Sequence, residues 1–241
     1  MRILVTGVNR GLGFELIQLG LEKGHTMIGT WLKTRDGIDS LQALQAQYPD
    51  RLMLVEMDVT SEESVKAASE LVRQRYDSID CVVNNAGILL ESKYNLEDPI
   101  INLDIGMFRK TLEVNTIGPA IVLKYFMPFV YRSCDPCVIN ITSEAGHLKT
   151  GLFTYLAYGV SKHGANMYTQ KIRNFLASRP EYEHIRIFMM HPGRMNTVMG
   201  AENKQIEPSE SANGIYDIIE KRVDPKLDIP FINYKGEQMP Y

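Results

Sequence analysis

Thr6-Gly7-Val8-Asn9-Arg10-Gly11-Leu12-Gly13, close to the amino terminus, is the stretch that decides the fold. It joins a short aliphatic run, Arg2–Thr6, to a segment of helical period. Glycines suit a sharp turn whose backbone must approach an anion, and the helix that follows offers unpaired N–H groups and a positive dipole end. The G-x-x-x-G-x-G spacing predicts a dinucleotide phosphate site, with an ordinary glycine-rich turn as the alternative. The residues of this turn predicted to contact the dinucleotide are Gly7, Asn9, Arg10, Gly11, Leu12 and Gly13.

Beyond this turn, short apolar runs alternate with longer segments of helical period, which predicts a mainly parallel sheet with helices on both faces. Predicted strands are Arg2–Thr6, Thr26–Trp31, Leu52–Met57, Ile79–Asn84, Cys137–Thr142, His184–Met190 and Ile229–Ile232. Predicted helices cover residues 11–24, 38–47, 61–76, 107–133, 157–178 and 208–222. With no internal repeat and no linker-like stretch, the pattern indicates one domain over residues 1–241. The predicted fold is α/β, a Rossmann-like, doubly wound, seven-stranded sheet.

Composition excludes several classes of protein. A net charge of −3 without a basic stripe argues against a nucleic-acid partner. The longest apolar stretch, Ala120–Tyr131, is interrupted by Lys124 and Pro128, so no membrane span is expected. Three cysteines do not suggest a disulfide framework and fit a reducing, cytoplasmic location. Cys134 and Cys137 form a C-x-x-C, but without a second pair or nearby histidines a metal site is not expected.

Polar residues follow the predicted strands at the points where they end. Ser143 comes directly after the fifth strand, Asn84-Asn85-Ala86-Gly87 ends the fourth, and His191-Pro192-Gly193 ends the sixth. Ligands of open α/β sheets bind at the carboxyl ends of the strands. Tyr158 and Lys162, four residues apart, project from one face of a predicted helix. Ser143, Tyr158 and Lys162 therefore form a candidate catalytic group.

In this order, and over nearly the whole chain, these motifs resemble the short-chain dehydrogenases/reductases. The resemblance is carried by Thr6–Gly13, Asn84–Gly87, Asn115, Ser143, Tyr158-Gly-Val-Ser-Lys162 and Pro192-Gly193. Two further stretches, His191–Gly200 and Phe231–Gly236, are similar to carbonyl reductases of the sniffer and C-factor type. The resemblance implies an oxidoreductase that transfers hydride between a nicotinamide and a small carbonyl or alcohol substrate.

The resemblance also implies roles for the catalytic group. Tyr158 would be the general acid or base, and Ser143 would hydrogen bond the substrate oxygen. Lys162 would hold the nicotinamide ribose and lower the pKa of Tyr158. One ammonium at 4–5 Å supplies about 3–4 kcal/mol at an effective dielectric of 20. Lowering a tyrosine pKa by three requires roughly 4 kcal/mol, so Lys162 is nearly sufficient.

Asn115 lies four residues before Pro119, which has no N–H to offer its backbone oxygen. That oxygen could hold a relay water that links Lys162 to solvent, and a merely kinked helix is the alternative. Asp58, with Val59 beside it, matches the family position that binds the adenine amino group, unless Asp58 is only an acid at a helix N-terminus. The other family positions assigned to the cofactor are Asn85, Ala86, Gly87, Pro192, Gly193 and Thr197, with Tyr158 and Lys162.

The end of the second strand predicts that NADP(H) is preferred over NAD(H). NAD-specific relatives place an acid there to bind the ribose 2′-OH, whereas this chain has Trp31 and Leu32. Cations cluster instead: Lys33 and Arg35 follow the strand, and Arg10 lies in the glycine turn. Asp36 offsets part of this charge, and the alternative is that Lys33 and Arg35 simply face water.

Three points stay open at this stage. A dinucleotide-binding sensor without turnover is the competing function, since a fold alone does not define an activity. A sugar-nucleotide epimerase is disfavoured by the spacing of the glycines. The substrate is undefined, with its walls expected from residues 88–96, 144–155 and 194–207.

Helices 107–133 and 157–178 pair between subunits in many family members, which implies a homodimer or homotetramer. The apolar residues that suggest this pairing are Ile121, Val122, Tyr125, Phe126, Phe129, Met167 and Tyr168.

Overall fold

The computed structural model describes residues 1–33, 37–91, 98–149, 154–197, 199 and 205–241. Within these ranges, strands and helices alternate in the predicted order. The strands are β1 (Arg2–Thr6), β2 (Thr26–Trp31), β3 (Leu52–Glu56), β4 (Cys81–Asn84), β5 (Cys137–Ile141), β6 (Arg186–His191) and β7 (Phe231–Asn233). The helices are α1 (Gly11–Glu22), α2 (Ile38–Gln47), α3 (Glu62–Arg73), α4 (Ile105–Leu112), α5 (Gly118–Val130), α6 (Leu156–Ala177) and α7 (Pro208–Ile219).

The described strands form one seven-stranded sheet in the order β3-β2-β1-β4-β5-β6-β7. Neighbouring strands of this sheet pair in parallel throughout. The chain builds outward from β1 to β3 and then crosses to β4 on the other side of β1. The switch point therefore lies between β1 and β4, where an open α/β sheet binds its ligand. The predicted fold class, a Rossmann-like doubly wound sheet, is confirmed.

Two hydrophobic cores cover the two faces of the sheet, because successive side chains of a strand point to opposite faces. Ile3 and Val5 of β1 lie in the core beneath α1, α2 and α7, whereas Leu4 lies in the core beneath α3, α5 and α6. All three side chains are fully buried. Burying one such side chain contributes roughly 1.5–3 kcal/mol, so the strand that carries the glycine turn is held rigidly from both sides.

The helix predicted over residues 107–133 is present, but it is not a regular α-helix throughout. The structure has α4, a π-helical turn at Glu113–Ile117 and then α5. The Gly118 N–H donates to the oxygen of Glu113, five residues back, which widens the helix just before Pro119. Proline supplies no N–H and crowds the carbonyl four residues earlier, so a regular α-helix cannot pass through this point unchanged. Turns of this kind are frequent at functional sites.

The apolar residues proposed to pair subunits do not all face outward. Val122, Phe126 and Phe129 are fully buried in the core between α5 and the sheet, because these apolar side chains of α5 face the sheet. Exposed apolar side chains on α4, the π-helical turn and α6 are Ile105, Ile117, Val160, Met167 and Phe175. None of the helices in the described ranges is long and apolar enough to cross a membrane.

Candidate active site

The glycine turn is held against the end of β4 by direct hydrogen bonds. Gly7 has φ +72°, a left-handed conformation that suits glycine. A Cβ on Gly13 would lie 2.2 Å from the oxygen of Gly7, so only glycine fits at the start of α1. The Asn85 amide donates to the oxygens of Thr6 at 2.9 Å and Gly7 at 3.2 Å. The Asn85 side chain therefore shapes the turn that would cradle a phosphate.

A cleft of about 2030 Å³ opens at the switch point. Ligand pockets are typically about 300–1,000 Å³, so this one has room for a dinucleotide and a substrate together. The first turn of α1 contains no acidic residue that would repel an anion bound at the helix N-terminus. The residues present thus fit a nicotinamide dinucleotide. Predicted site residues that line the cleft are Gly7, Asn9, Arg10, Gly11, Leu12, Asp58, Val59, Asn85, Ala86, Gly87, Ser143, Tyr158, Lys162, Pro192, Gly193 and Thr197.

Four predicted site residues lie outside this lining: Gly13, Trp31, Lys33 and Asn115. Gly13 packs behind the turn, and Trp31 packs partly buried against the core. Lys33 is exposed.

Leu32, half exposed beside Lys33, lines the cleft directly after β2. Arg35 and Asp36 lie outside the described residues, as do residues 92–97, 150–153, 198 and 200–204 of the stretches considered above.

Ser143 and Tyr158 meet at the carboxyl end of β5. Ser143 follows β5, and Tyr158 lies in the first turn of α6. The Ser143 side chain is close enough to the Tyr158 hydroxyl to act on its pKa. Burial raises the pKa of Tyr158 to about 12, against a lowering effect of Ser143, while the nearby Glu144 carboxylate adds to the rise. Tyr158 is therefore protonated at neutral pH.

Lys162 is almost completely buried, with 4% of its surface exposed. Its Nζ donates to the oxygen of Ile141 at 2.9 Å and lies 5.5 Å from the centre of the Tyr158 ring. Burial lowers the pKa of Lys162 to about 8, because the charged form has lost its water. A Cβ on Gly87 would lie 3.3 Å from Asn115 Oδ1 and 3.5 Å from this Nζ, so the backbone after β4 runs close to both side chains.

Lys162 is not among the causes that set the pKa of Tyr158, so the expectation that it lowers this pKa stays a prediction. The Nζ lies over the face of the ring and bonds a backbone oxygen, while burial of the tyrosine hydroxyl acts in the opposite direction. Burial is thus the largest cause of the pKa shift of both side chains.

The side chain of Asn115 connects two distant parts of the chain by hydrogen bonds. Its amide donates to the oxygen of Ile88 at 2.8 Å and to Ser161 Oγ at 3.0 Å, and its Oδ1 accepts from the Ile88 N–H at 2.8 Å. Ser161 in turn donates to the oxygen of Tyr158 at 2.7 Å. Asn115 therefore ties the segment after β4 to α6, and the relay through its backbone oxygen stays a prediction.

Asp58 is not the cap of α3. Its Oδ1 accepts from the N–H and the hydroxyl of Thr60 at 2.8 and 2.7 Å, and Ser61 caps the helix instead. Asp58 nevertheless lines the cleft, so its predicted contact with an adenine amino group stays a prediction.

Two acidic residues near the site, Glu144 and Glu91, were not predicted from the sequence. Glu144 accepts from Arg194 Nε at 2.5 Å, and both side chains line the cleft. Burial alone would raise the pKa of Glu144, but the Arg194 hydrogen bond and the nearby charges hold it below its ordinary value. Glu144 comes directly after Ser143 and Arg194 directly after Gly193, and these positions could have indicated the ion pair. Glu91 caps α6 from far along the chain and left no local signal.

The two cysteines of the C-x-x-C motif lie in different surroundings. Cys134 is exposed, whereas Cys137 is buried on β5 opposite Cys81 of β4. Across the described part of the chain, no three histidine, cysteine or acidic side chains converge in a way that could hold a metal ion.

The fold and the site are those of a dinucleotide-dependent oxidoreductase. The sheet is doubly wound, its switch point opens into a glycine-lined cleft, and this cleft contains a serine, a tyrosine and a lysine. Residues 1–208 match the family model described as short chain dehydrogenase. A short-chain dehydrogenase/reductase of Aspergillus fumigatus is 30% identical over 209 residues, covering 81% of this chain and 78% of the relative. The chain belongs to the short-chain dehydrogenase/reductase family.

Two solved structures are similar to this chain over its whole length. The NADPH-bound carbonyl reductase from chicken fatty liver is 26% identical, with a TM-score of 0.84 over 100% of this chain and 98% of that one. The carbonyl reductase Sniffer of D. melanogaster has the same TM-score, 0.84, over 100% and 99% of the two chains. At 22% identity the second likeness concerns the fold alone.

Proposed function

We propose that this chain is an NADPH-dependent carbonyl reductase in which Tyr158 donates the proton to the carbonyl oxygen. The observation that carries the proposal is the position of Tyr158, which lines the cleft together with Ser143 and Lys162. With a pKa of about 12, the Tyr158 hydroxyl is protonated throughout the neutral range. That is the state that reduction of a carbonyl requires.

The side chains divide the work around the substrate oxygen. A reduced nicotinamide bound in the cleft would supply the hydride. Ser143 Oγ would hydrogen bond the carbonyl oxygen as negative charge develops there, and Tyr158 would transfer its proton to that oxygen. Lys162, buried behind the Tyr158 ring, would stabilise the tyrosinate that remains. In the reverse direction Tyr158 must first lose its proton, so alcohol oxidation is disfavoured at neutral pH.

Three features support a preference for NADPH. The position after β2 carries the apolar Leu32 rather than an acid that would repel a 2′-phosphate. Arg10 lines the cleft and can offer a guanidinium to such a phosphate. The similar chicken carbonyl reductase is described as NADPH-bound.

We expect turnover with NADPH, and kcat/KM for NADPH to exceed that for NADH by roughly 10- to 100-fold, the value of one charged contact of about 1.5–3 kcal/mol. The measurement follows oxidation of each cofactor with para-nitrobenzaldehyde, decanal, cyclohexanone and a quinone. Saturable NADPH binding without turnover on any of them would contradict the reductase and favour a sensor. Equal efficiency with both cofactors would contradict the preference alone.

Arg10→Ala and Lys33→Ala separate a local contact from a general field of positive charge. Both residues are exposed, but only Arg10 lines the cleft. Arg10→Ala should therefore lose most of the preference while its activity with NADH is nearly retained, and Lys33→Ala should lose less. If Arg10→Ala weakens NADH and NADPH use alike, Arg10 does not contact the 2′-phosphate.

We further propose that the protein is a homodimer, or a tetramer built from such dimers. The supporting surface is the set of exposed apolar side chains on α4, the π-helical turn and α6 named above. Light scattering at micromolar concentration should give at least twice the 27.4 kDa chain mass. A monomeric mass would contradict the proposal.

A cytoplasmic location is proposed from the three free cysteines, which fit a reducing compartment.

A further inference from the structure

Helix α6 begins without a cap of its own, although it carries Tyr158 in its first turn. The first N–H groups of a helix have no partner within the helix, and Ser, Thr, Asp or Asn at the N-cap usually supplies one. Here the N-cap is Tyr155, whose side chain makes no capping hydrogen bond. Its backbone is left-handed, with φ 59° and ψ 46°, a conformation that L side chains rarely adopt. Such a conformation persists only where the surrounding structure enforces it.

The missing cap is supplied by Glu91, from 66 and 67 residues earlier in the chain. Glu91 is buried, with 4% of its surface exposed. Its Oε1 accepts the Ala157 N–H at 2.8 Å, and its Oε2 accepts the Tyr158 N–H at 2.7 Å. Both carboxylate oxygens are thus used, at the end of the helix where the dipole favours an anion. Charged hydrogen bonds of this length are stronger and more directional than neutral ones.

Glu91 lies behind the cleft wall. Leu89 and Leu90 line the cleft, whereas Glu91 is not among its lining residues. The same segment is fixed to α6 a second time, since Asn115 pairs with the backbone of Ile88 and with Ser161. The segment after β4 therefore holds the start of α6 at two points. One of these is the backbone of Tyr158 itself.

We propose that Glu91 is a positioning residue for Tyr158, a role that rests on the proposed function of Tyr158 as the general acid. By holding the Tyr158 N–H, the carboxylate fixes the tyrosine hydroxyl relative to Ser143 and to the substrate oxygen. A displacement of about 1 Å at a reacting group can lower the rate by 10²-fold. The carboxylate needs no contact with substrate or cofactor to have this effect.

The test compares Glu91→Ala and Glu91→Gln with Asp104→Ala. Asp104 is a matched control because its Oδ1 caps α4 by accepting the Met107 N–H at 2.9 Å, and it does not line the cleft. For each variant we would measure kcat and KM with para-nitrobenzaldehyde, or with the fastest carbonyl of the panel above. NADPH affinity by fluorescence and the midpoint of thermal unfolding complete the comparison.

We expect Glu91→Ala to lower kcat by about tenfold or more, while NADPH affinity stays within about twofold, because the glycine turn is untouched. Glu91→Gln keeps one acceptor oxygen and should recover part of kcat. Asp104→Ala should lower the thermal midpoint by roughly 2–4 °C, as loss of a cap does in a chain of this size, with kcat within about twofold of wild type.

The double variant Tyr158→Phe/Glu91→Ala distinguishes positioning from general loss of stability. If Glu91 acts through Tyr158, adding Glu91→Ala to Tyr158→Phe should leave the residual rate unchanged within about twofold. A further fall equal to that seen in the wild-type background would overturn the proposal, as would a folded Glu91→Ala with wild-type kcat. If Glu91→Ala does not fold, wild-type kcat in Glu91→Gln overturns it. Wild-type kcat in Tyr158→Phe would instead overturn the proposed function.

Discussion

Tyr158→Phe should reduce kcat for carbonyl reduction by roughly 10²–10⁴-fold, the usual contribution of a positioned general acid. The phenyl ring keeps the packing of Tyr158 in the cleft wall, so NADPH affinity should stay close to that of wild type. The hydroxyl that is lost is the one whose pKa Ser143 lowers, and with a pKa of about 12 it is protonated at neutral pH. Steady-state kinetics, with NADPH binding measured separately, would separate loss of the acid from loss of the cofactor site.

Tyr155→Phe is the matched control for this variant. Tyr155 lies three residues earlier, lines the same cleft and has no lysine four residues after it. We expect Tyr155→Phe to keep kcat within about threefold of wild type, since only a general acid contributes the larger factor. Retention of more than about half of wild-type kcat in Tyr158→Phe, under conditions where chemistry limits the rate, would show that another group donates the proton.

The parts of the fold that could be predicted depend on local pattern. β1, β2 and α2 have the predicted bounds, and the strand order places Gly7 and Asn85 together at the switch point. Because parallel strands end at one edge of a sheet, residues that follow strands can be assigned to one cleft without knowledge of their side-chain contacts. The predicted cleft residues Ser143 and Gly193 follow directly from this rule.

The rest depends on contacts between distant parts of the chain. Glu91 caps a helix that begins 65 residues later, and no spacing rule connects the two. The π-helical turn at Glu113–Ile117 reflects a competition between Pro119 and the packing of α5, which a helical period alone does not show. The pKa of Tyr158 depends on how completely its hydroxyl is removed from water. A Coulomb estimate from the spacing to Lys162 could not include that burial.

Lys162→Met should abolish most activity and yet stabilise the folded protein. Loss of the ammonium behind Tyr158 removes the charge that would stabilise the tyrosinate, and we expect kcat/KM to fall by roughly 10²-fold or more. Burial lowers the pKa of Lys162 from 10.5 to about 8, so the charged form costs the fold about 3 kcal/mol below pH 8. Loss of the hydrogen bond to the Ile141 oxygen offsets about 1 kcal/mol of this gain in stability. The free energy of unfolding should therefore rise by about 2 kcal/mol at pH 7, or roughly 4–8 °C in the thermal midpoint.

The pH dependence of this gain has a definite sign. Between pH 8 and 10.5 the unfolded wild-type chain still holds the lysine proton while the folded chain releases it, so wild-type stability rises with pH in this window. The advantage of Lys162→Met should accordingly be largest below pH 8 and shrink toward pH 10.5. Lys171→Met, on the exposed side of the same helix, should change neither stability nor kcat/KM appreciably. A Lys162→Met variant less stable than wild type at pH 7, with Lys171→Met unchanged, would mean that the ammonium is stabilised in the fold rather than strained by burial.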